Sequence, residues 1–420
     1  MKAKARRDPP AQIVKGVLTM TRRGDAFVRP DDGGKDVFVA AGRLATSMDG
    51  DRVAARIDRR PKGRNPEGTV VDVLERARTT VVGTFHRRKR MSWVVPLDLR
   101  LHREVLVPDG REVVAKEGDV VVVRLTGFGV GRARPTGSVE RVLGSLQDPG
   151  VDVLAVAHGF DLPLEFPSDV LSAAERAATA GARDEGPRRV DRTDLLAFTI
   201  DPSDAKDHDD ALSIATLGDG RVEVGVHIAD VSHFVQHGGT VDLEARARGT
   251  SVYLVDRTIP MLPQILSADV CSLVVDLPRL ALSLFVEIDS EGRVRARRYE
   301  RTRIRCRYAL SYEDAQEVLD HRRSIAPDLD EALKQLDDHA RRVRVERHGR
   351  GALDLDLPEA KVILDAEGDP VDIQRRDRLS SHRLIEDYMI LANEVEASDL
   401  EARDIGSLRS EEHTSELQSQ

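Results

Sequence analysis

The sequence predicts a multidomain chain: two small antiparallel β-barrels, a linker with a helix, and a larger mixed α/β domain. Three observations lead there. A length of 420 residues exceeds what one compact core organises. Up to residue 143 the text is short β-branched runs cut by Gly, Pro and Asp. From residue 195 onward, apolar β runs alternate with helical periodicity.

The first barrel is expected over residues 12–60, from the runs KGVLTM, DAFVRP, KDVFVAA and GDRVAARID. The second is expected over 80–143, from TVVGTFHRR, MSWVVPLD, REVLVPDG and GDVVVVRLTG. Each set closes on Gly-Asp followed by β-branched residues (Gly50, Asp51, Val53; Gly118, Asp119, Val120), which reads as a weak internal duplication. The basic, Pro- and Gly-containing stretch RRPKGRNPEG, 59–68, suits an exposed connection between the barrels. Residues 144–194 form a linker with one helix, in which Val170, Leu171, Ala174 and Ala177 share a face. The α/β domain then covers 195–405, with β runs LAFTI, VEVGVHIADV, LALSLFVEID and KVILDAEG and helices around 312–347 and 380–402. Residues 410–420, SEEHTSELQSQ, carry no apolar period and look like a non-native tail, similar to translated adapter read-through.

Composition narrows the function classes. Hydrophobic residues are 40% and charged residues 33%, so buried cores are affordable and wholesale disorder is not indicated. No apolar run reaches the roughly 18 residues of a membrane span, and the start MKAKARRDPPAQ lacks a signal-peptide core, so a cytoplasmic protein without a membrane partner is expected. Cys271 and Cys306 have neither the number nor the spacing of a disulfide framework or zinc site and read as reduced thiols. The net charge of −9 hides an asymmetry: residues 1–140 hold 29 Lys and Arg against 18 Asp and Glu, a surplus of +11, and the remainder carries −20. One end suits a polyanion and the other suits metal ions.

The most informative stretch is FTIDPSDAKDHDDALSI, 198–214, in which five aspartates (Asp201, Asp204, Asp207, Asp209 and Asp210) fall within ten residues. Packed carboxylates repel and raise one another's pKa unless cations hold them, so the cluster reads as a hard-metal site for magnesium, with manganese as the alternative. A calcium loop of the EF-hand kind lacks its central glycine here. A solvated acidic turn is the plainer reading, and the apolar strands flanking the cluster argue against it. Clustered aspartates with magnesium suit phosphodiester hydrolysis; no nucleophilic Ser or Cys motif and no phosphate-cradling glycine loop competes.

With TIDPSDAKDHDD stand HIADVSHFV (227–235), SVYLVDRTIPMLPQILSADVCSL (251–273) and SHRLIEDYMILANEV (381–395). Together they resemble the ribonuclease II/R family of exoribonucleases over roughly residues 12 to 405. The stretches GDAFVRPDD, DVFV and LGSLQDPGVDVLAVAHGFDLPLEFP are more similar to its ribonuclease R branch. The resemblance implies cold-shock/OB-like barrels followed by the front part of a catalytic domain. It implies a processive, magnesium-dependent hydrolase that trims single-stranded RNA from the 3′ end, releases nucleoside 5′-monophosphates and works as a monomer. By motif match, Asp201, Asp207, Asp209 and Asp210 are the catalytic and metal-site carboxylates; Asp201, Asp207 and Asp210 hold metal, and Asp209 contributes most directly to the chemistry. Asp204 falls outside that set as a turn residue. His208, where the family often has an aromatic, is read as a packing variant rather than a ligand. Tyr253 matches the aromatic that stacks on the terminal base, Tyr312 a position near the nucleotide path and Glu386 an acid near the last ribose. A buried helix-start tyrosine and a helix-face salt bridge are the plainer readings of the last two. In the first barrel Phe27 and Phe38 suit base stacking; in the second, Phe85 and Trp93 read as core.

The sequence also departs from the family pattern. Leu355 stands where an aromatic wall is usual, and neither the later proline-isoleucine-arginine-arginine-tyrosine-like motif nor a carboxy-terminal oligonucleotide-binding barrel is found. An incomplete catalytic domain is therefore expected, with exposed apolar surface and weak or no activity. The alternative function is an RNA-binding protein that does not cleave.

Overall fold

A computed structural model describes residues 12–406 apart from 109, 111–114, 130–132, 184–188, 355–356 and 358. Position 355 and the expected non-native tail therefore lie outside the described residues. The chain divides into two compact units. One runs to Leu164 and takes in Tyr253–Arg257 and Val362–Asp372; the other comprises Glu165–Val252, Thr258–Lys361 and the residues from Ile373 on.

The first barrel closes from β1 (Ile13–Met20), β2 (Ala26–Pro30), β3 (Val37–Val39), β4 (Arg52–Arg59) and β5 (Glu67–Glu75), in the order β1-β2-β3-β5-β4. Alternation puts Leu18, Ala26, Val28, Val37, Val39, Val53, Ala55 and Val70 inside. The barrel thus runs 15 residues past the boundary expected at residue 60. The basic stretch after Arg59 joins β4 to β5 within this barrel and does not separate two barrels. The fifth strand escaped notice because its outer positions are acidic or partly buried, which blurs the alternation.

The second barrel closes from β6 (Thr80–Arg88), β7 (Met91–Pro96), β8 (Val105–Val107), β9 (Asp119–Gly127) and β10 (Thr136–Ser145). Its order, β10-β8-β7-β6-β9, read from β6 is the order of the first barrel. The duplication is therefore real as architecture. Gly50 and Gly118, both at left-handed φ, precede the fourth strand of each barrel instead of closing it. A second correspondence lies in the opening hairpins: Gly16 faces Pro30 and Gly83 faces Pro96. In both, a Cβ would fall 2.0–2.3 Å from the partner strand's carbonyl oxygen, at Arg29 and Val95 respectively, so only glycine permits the approach. The near-continuous valines of β9 serve two layers: Val121, Val123 and Leu125 face the barrel interior, and Val120 and Val122 pack under α1 (Val151–Gly159). That helix was not anticipated within the 144–194 linker.

In the second unit, α2 (Ser168–Arg183) precedes a six-stranded sheet of order β11-β18-β12-β13-β14-β17. The strands are β11 (Val190–Asp191), β12 (Ala197–Asp201), β13 (Asp210–Gly218), β14 (Arg221–Ala229), β17 (Pro278–Ile288) and β18 (Val294–Ser311). The 18-residue β18 pairs with β17 along its first part and runs parallel to β12 along its last, so the sheet turns back on itself. Between β14 and β17 lie α3 (Val231–Phe234), α4 (Thr240–Arg248), the short ribbon β15 (Val252–Tyr253) and β16 (Thr258–Ile259), and one turn of π-helix, Leu266–Val270. After β18 in the chain come α5 (Tyr312–Leu319), α6 (Pro327–Gly349), the hairpin β19 (Glu359–Leu364) and β20 (Pro370–Arg376), and α7 (Ser380–Glu401); of these, most of the hairpin, Val362–Asp372, belongs to the first unit, as does Tyr253–Arg257 of the ribbon. The helical region expected over 312–347 is thus two helices, with Pro327 opening the second. One sheet face packs Phe198, Leu212, Val224, Val226 and Val286 against α5–α7; the other packs Ala197, Ala211, Ala229 and Ala281 against α2 and the π-turn.

Candidate active site

The acidic stretch is the connection between two sheet strands. Asp201 is the last residue of β12 and Asp210 the first of β13, so the loop 202–209 begins and ends on fixed backbone. Pro202 starts it, with the Ala205 N–H donating to the Pro202 carbonyl. Its return limb hangs on the segment after the π-turn. The fully buried Ser272 hydroxyl donates to the Lys206 carbonyl and accepts the His208 N–H, both at 3.0 Å, and the Leu273 N–H donates to the His208 carbonyl at 2.9 Å. The Asp209 carbonyl takes the Ala229 N–H at the end of β14. The largely polar loop therefore follows one path because a neighbouring segment satisfies backbone groups along its return limb.

This path gathers charge. The His208 Nδ1 lies 2.6 Å from Asp201 Oδ2 and 3.4 Å from Thr199 Oγ1. The Asp201 hydrogen bond, with the charges of Asp201, Asp207 and Asp209, holds the imidazole above its ordinary pKa. Burial and the neighbouring Asp201 and Asp209 push the Asp210 carboxyl up to about 7. Asp207 is half-buried, and Asp209 and Asp204 are exposed. The reading of His208 as mere packing is corrected: its polar partner is Asp201 itself. Burial pushes both thiols, Cys271 and Cys306, up to about 12, which leaves them unreactive.

Among the described residues no three His, Cys, Asp or Glu side chains converge on one point as metal ligands. The donors fit a hard cation by type: they are carboxylates, and burial, followed by the charges of Asp201 and Asp209, disfavours the ionised form of Asp210 in a way a positive charge would offset.

The other expected site residues fall in several places. Tyr312 opens α5, half-buried, and stacks on His382 with ring centroids 4.1 Å apart. The Glu386 carboxylate accepts from Arg378 at 2.6 Å, so the salt-bridge reading describes its contact. Tyr253 belongs to the first unit and is 70% exposed. Phe27 and Phe38 face each other across β2 and β3, half-buried on the outer side of the first barrel, with centroids 5.6 Å apart. Phe85 is wholly core, whereas Trp93 lies half-buried and stacks on His86. Sequence reasoning missed two buried polar residues. Ser272 sits inside a quoted motif, where nothing marked it as the loop's anchor. His227, at the head of HIADVSHFV, is buried between the hydroxyls of Ser213 at 2.9 Å and Ser283 at 2.7 Å, and Ser283 in turn lies 2.6 Å from Thr302 Oγ1.

Residues 189–418 match the RNB domain family, 93–167 a cold shock domain and 16–73 the ribonuclease B OB domain. The chain is 38% identical over 388 residues to ribonuclease R of Thermotoga maritima, covering 91% of this chain and 54% of the relative. It is 34% identical over 412 residues to ribonuclease R 1 of Lactococcus lactis, covering 93% and 50%. The chain thus spans about half the length of the curated relatives it matches. The structure of Mycoplasma genitalium RNase R in complex with ribose methylated single-stranded RNA superposes with a TM-score of 0.88 at 25% identity, covering 93% of this chain and 62% of that one.

Proposed function

Since the chain belongs to the ribonuclease II/R family, its RNB domain taking up more than half the residues, we propose that it is a magnesium-dependent exoribonuclease of ribonuclease R type. It takes single-stranded RNA by the 3′ end and releases nucleoside 5′-monophosphates one after another. The observation that carries this reading is the acid loop, pinned at both ends by β12 and β13 and along its return limb by Ser272. Fold alone would not distinguish a nuclease from a binder.

In this reading Asp201, Asp207 and Asp210 would hold a divalent ion, whose chemistry when bound would be to lower the pKa of water and offset charge on a phosphate. Asp209, which is exposed, faces the reacting phosphate and receives the proton of the attacking water. Tyr253 stacks on a terminal base without selecting its identity, as Phe27 and Phe38 do in the first barrel. Glu386, held by Arg378, faces a ribose hydroxyl. Among the described residues no helix is long and apolar enough to cross a membrane, and the reading places a monomer in the cytoplasm.

Incubation with magnesium and 5′-labelled single-stranded RNA tests the proposal. The label should shorten stepwise from the 3′ end, stop with chelator, and slow at least about 10²-fold in Asp209→Asn. Intact RNA that the wild type and Asp209→Asn retard equally would establish the non-cleaving RNA-binding alternative instead.

A further inference from the structure

We propose that His208 selects the ion: by engaging one oxygen of Asp201 it confines that carboxylate to single-oxygen ligation, which suits a small octahedral cation and disfavours calcium. The inference rests on the metal-holding role given above to the acid loop.

The backbone of each partner is held by hydrogen bonds. Asp201 continues the parallel pairing of β12 with β18, opposite Ser311, so its backbone cannot retreat. His208 is fixed on both sides, its N–H on the Ser272 hydroxyl and its carbonyl on the Leu273 N–H. The half-buried ring is thereby aimed at Asp201 Oδ2, at 2.6 Å, with Thr199 Oγ1 at 3.4 Å from the same nitrogen. An aromatic without a donor would fill the same volume and leave both Asp201 oxygens available.

That difference matters to the ion. Calcium accepts 6–8 oxygens, often with a bidentate carboxylate, whereas magnesium requires near-ideal octahedral geometry and uses one or two carboxylates with water. With Oδ2 committed to the imidazole, Asp201 offers Oδ1 alone. With Nδ1 committed to Asp201, His208 does not itself ligate through that nitrogen. It is a positioning residue whose effect on the cation passes through Asp201.

The test is calorimetric titration of the full chain, without RNA, with manganese and separately with calcium. His208→Asn presents an amide N–H close to where Nδ1 lies; His208→Phe and His208→Leu present none, and the second serves should the first not fold. The wild type is expected to bind manganese more tightly than calcium. The two donor-free variants should narrow that preference about tenfold or more, while His208→Asn keeps it within about threefold. An unchanged preference in a folded donor-free variant overturns the proposal, as does an equal loss in His208→Asn, which would mark the ring as packing. A wild type that binds neither ion overturns the metal reading itself, and the proposal with it. A wild type that binds manganese while the preference stays put overturns only the role of His208.

Discussion

His227 is a basic residue made neutral by its surroundings. Fully buried between the hydroxyls of Ser213 and Ser283, it has its pKa pushed down to about 4 by loss of water. The unfolded chain keeps the ordinary value near 6.5, so below that pH it takes up a proton that the folded chain refuses. Stability from this residue is therefore complete above about pH 6.5 and is lost as pH falls towards 4, by on the order of 3 kcal/mol. Urea midpoints measured from pH 7.5 to 4.5 should fall more steeply for the wild type than for His227→Gln. Parallel curves would show that the imidazole is not held neutral. The sequence displayed this histidine within a family motif but not its role, because the hydroxyls that enclose it come from strands 14 and 56 residues away.

At the scale of elements, the aspartates were legible and the path of their loop was not. Five acids in ten residues between apolar strands stand out in the sequence, whereas the hook that shapes their loop, Ser272, is 64 residues from His208 and looks like any other serine. Ser272→Ala would remove the partner of the half-buried His208 N–H and of the Lys206 carbonyl, costing about 1 kcal/mol. The loss should appear mainly in kcat, with RNA affinity in the presence of chelator unchanged, because the barrels are untouched. A variant with full turnover would mean that the loop holds its shape without the hook. The fifth strand of the first barrel failed to read for a related reason: β5 carries register shifts against β4, and a bulged strand does not keep period two.

On the scale of the whole molecule, the surplus of positive charge in residues 1–140 coincides with the two barrels, and the acid loop lies in the unit that carries the negative surplus. Binding and cleavage should accordingly separate. In chelator, fluorescence anisotropy with single-stranded RNA should show salt-sensitive binding, and replacing both Phe27 and Phe38 with Ala should weaken it by about 1–3 kcal/mol per lost stack while leaving the salt slope in place. Undiminished affinity would remove the outer aromatic pair from the RNA path. By itself the sequence determined the order of barrels and α/β domain, the family and the run of acids proposed as its site, since each of these is written in contiguous residues: alternation, turn glycines and a dense run of carboxylates. Only the tertiary structure decided that Asp201 is engaged by His208, that Ser272 shapes the loop, and that both barrels close in the same strand order. The last two rest on contacts between residues far apart in the chain, and the first on a loop whose path is set by Ser272, 64 residues from His208; the choice among many possible distant partners is made by packing rather than by local pattern.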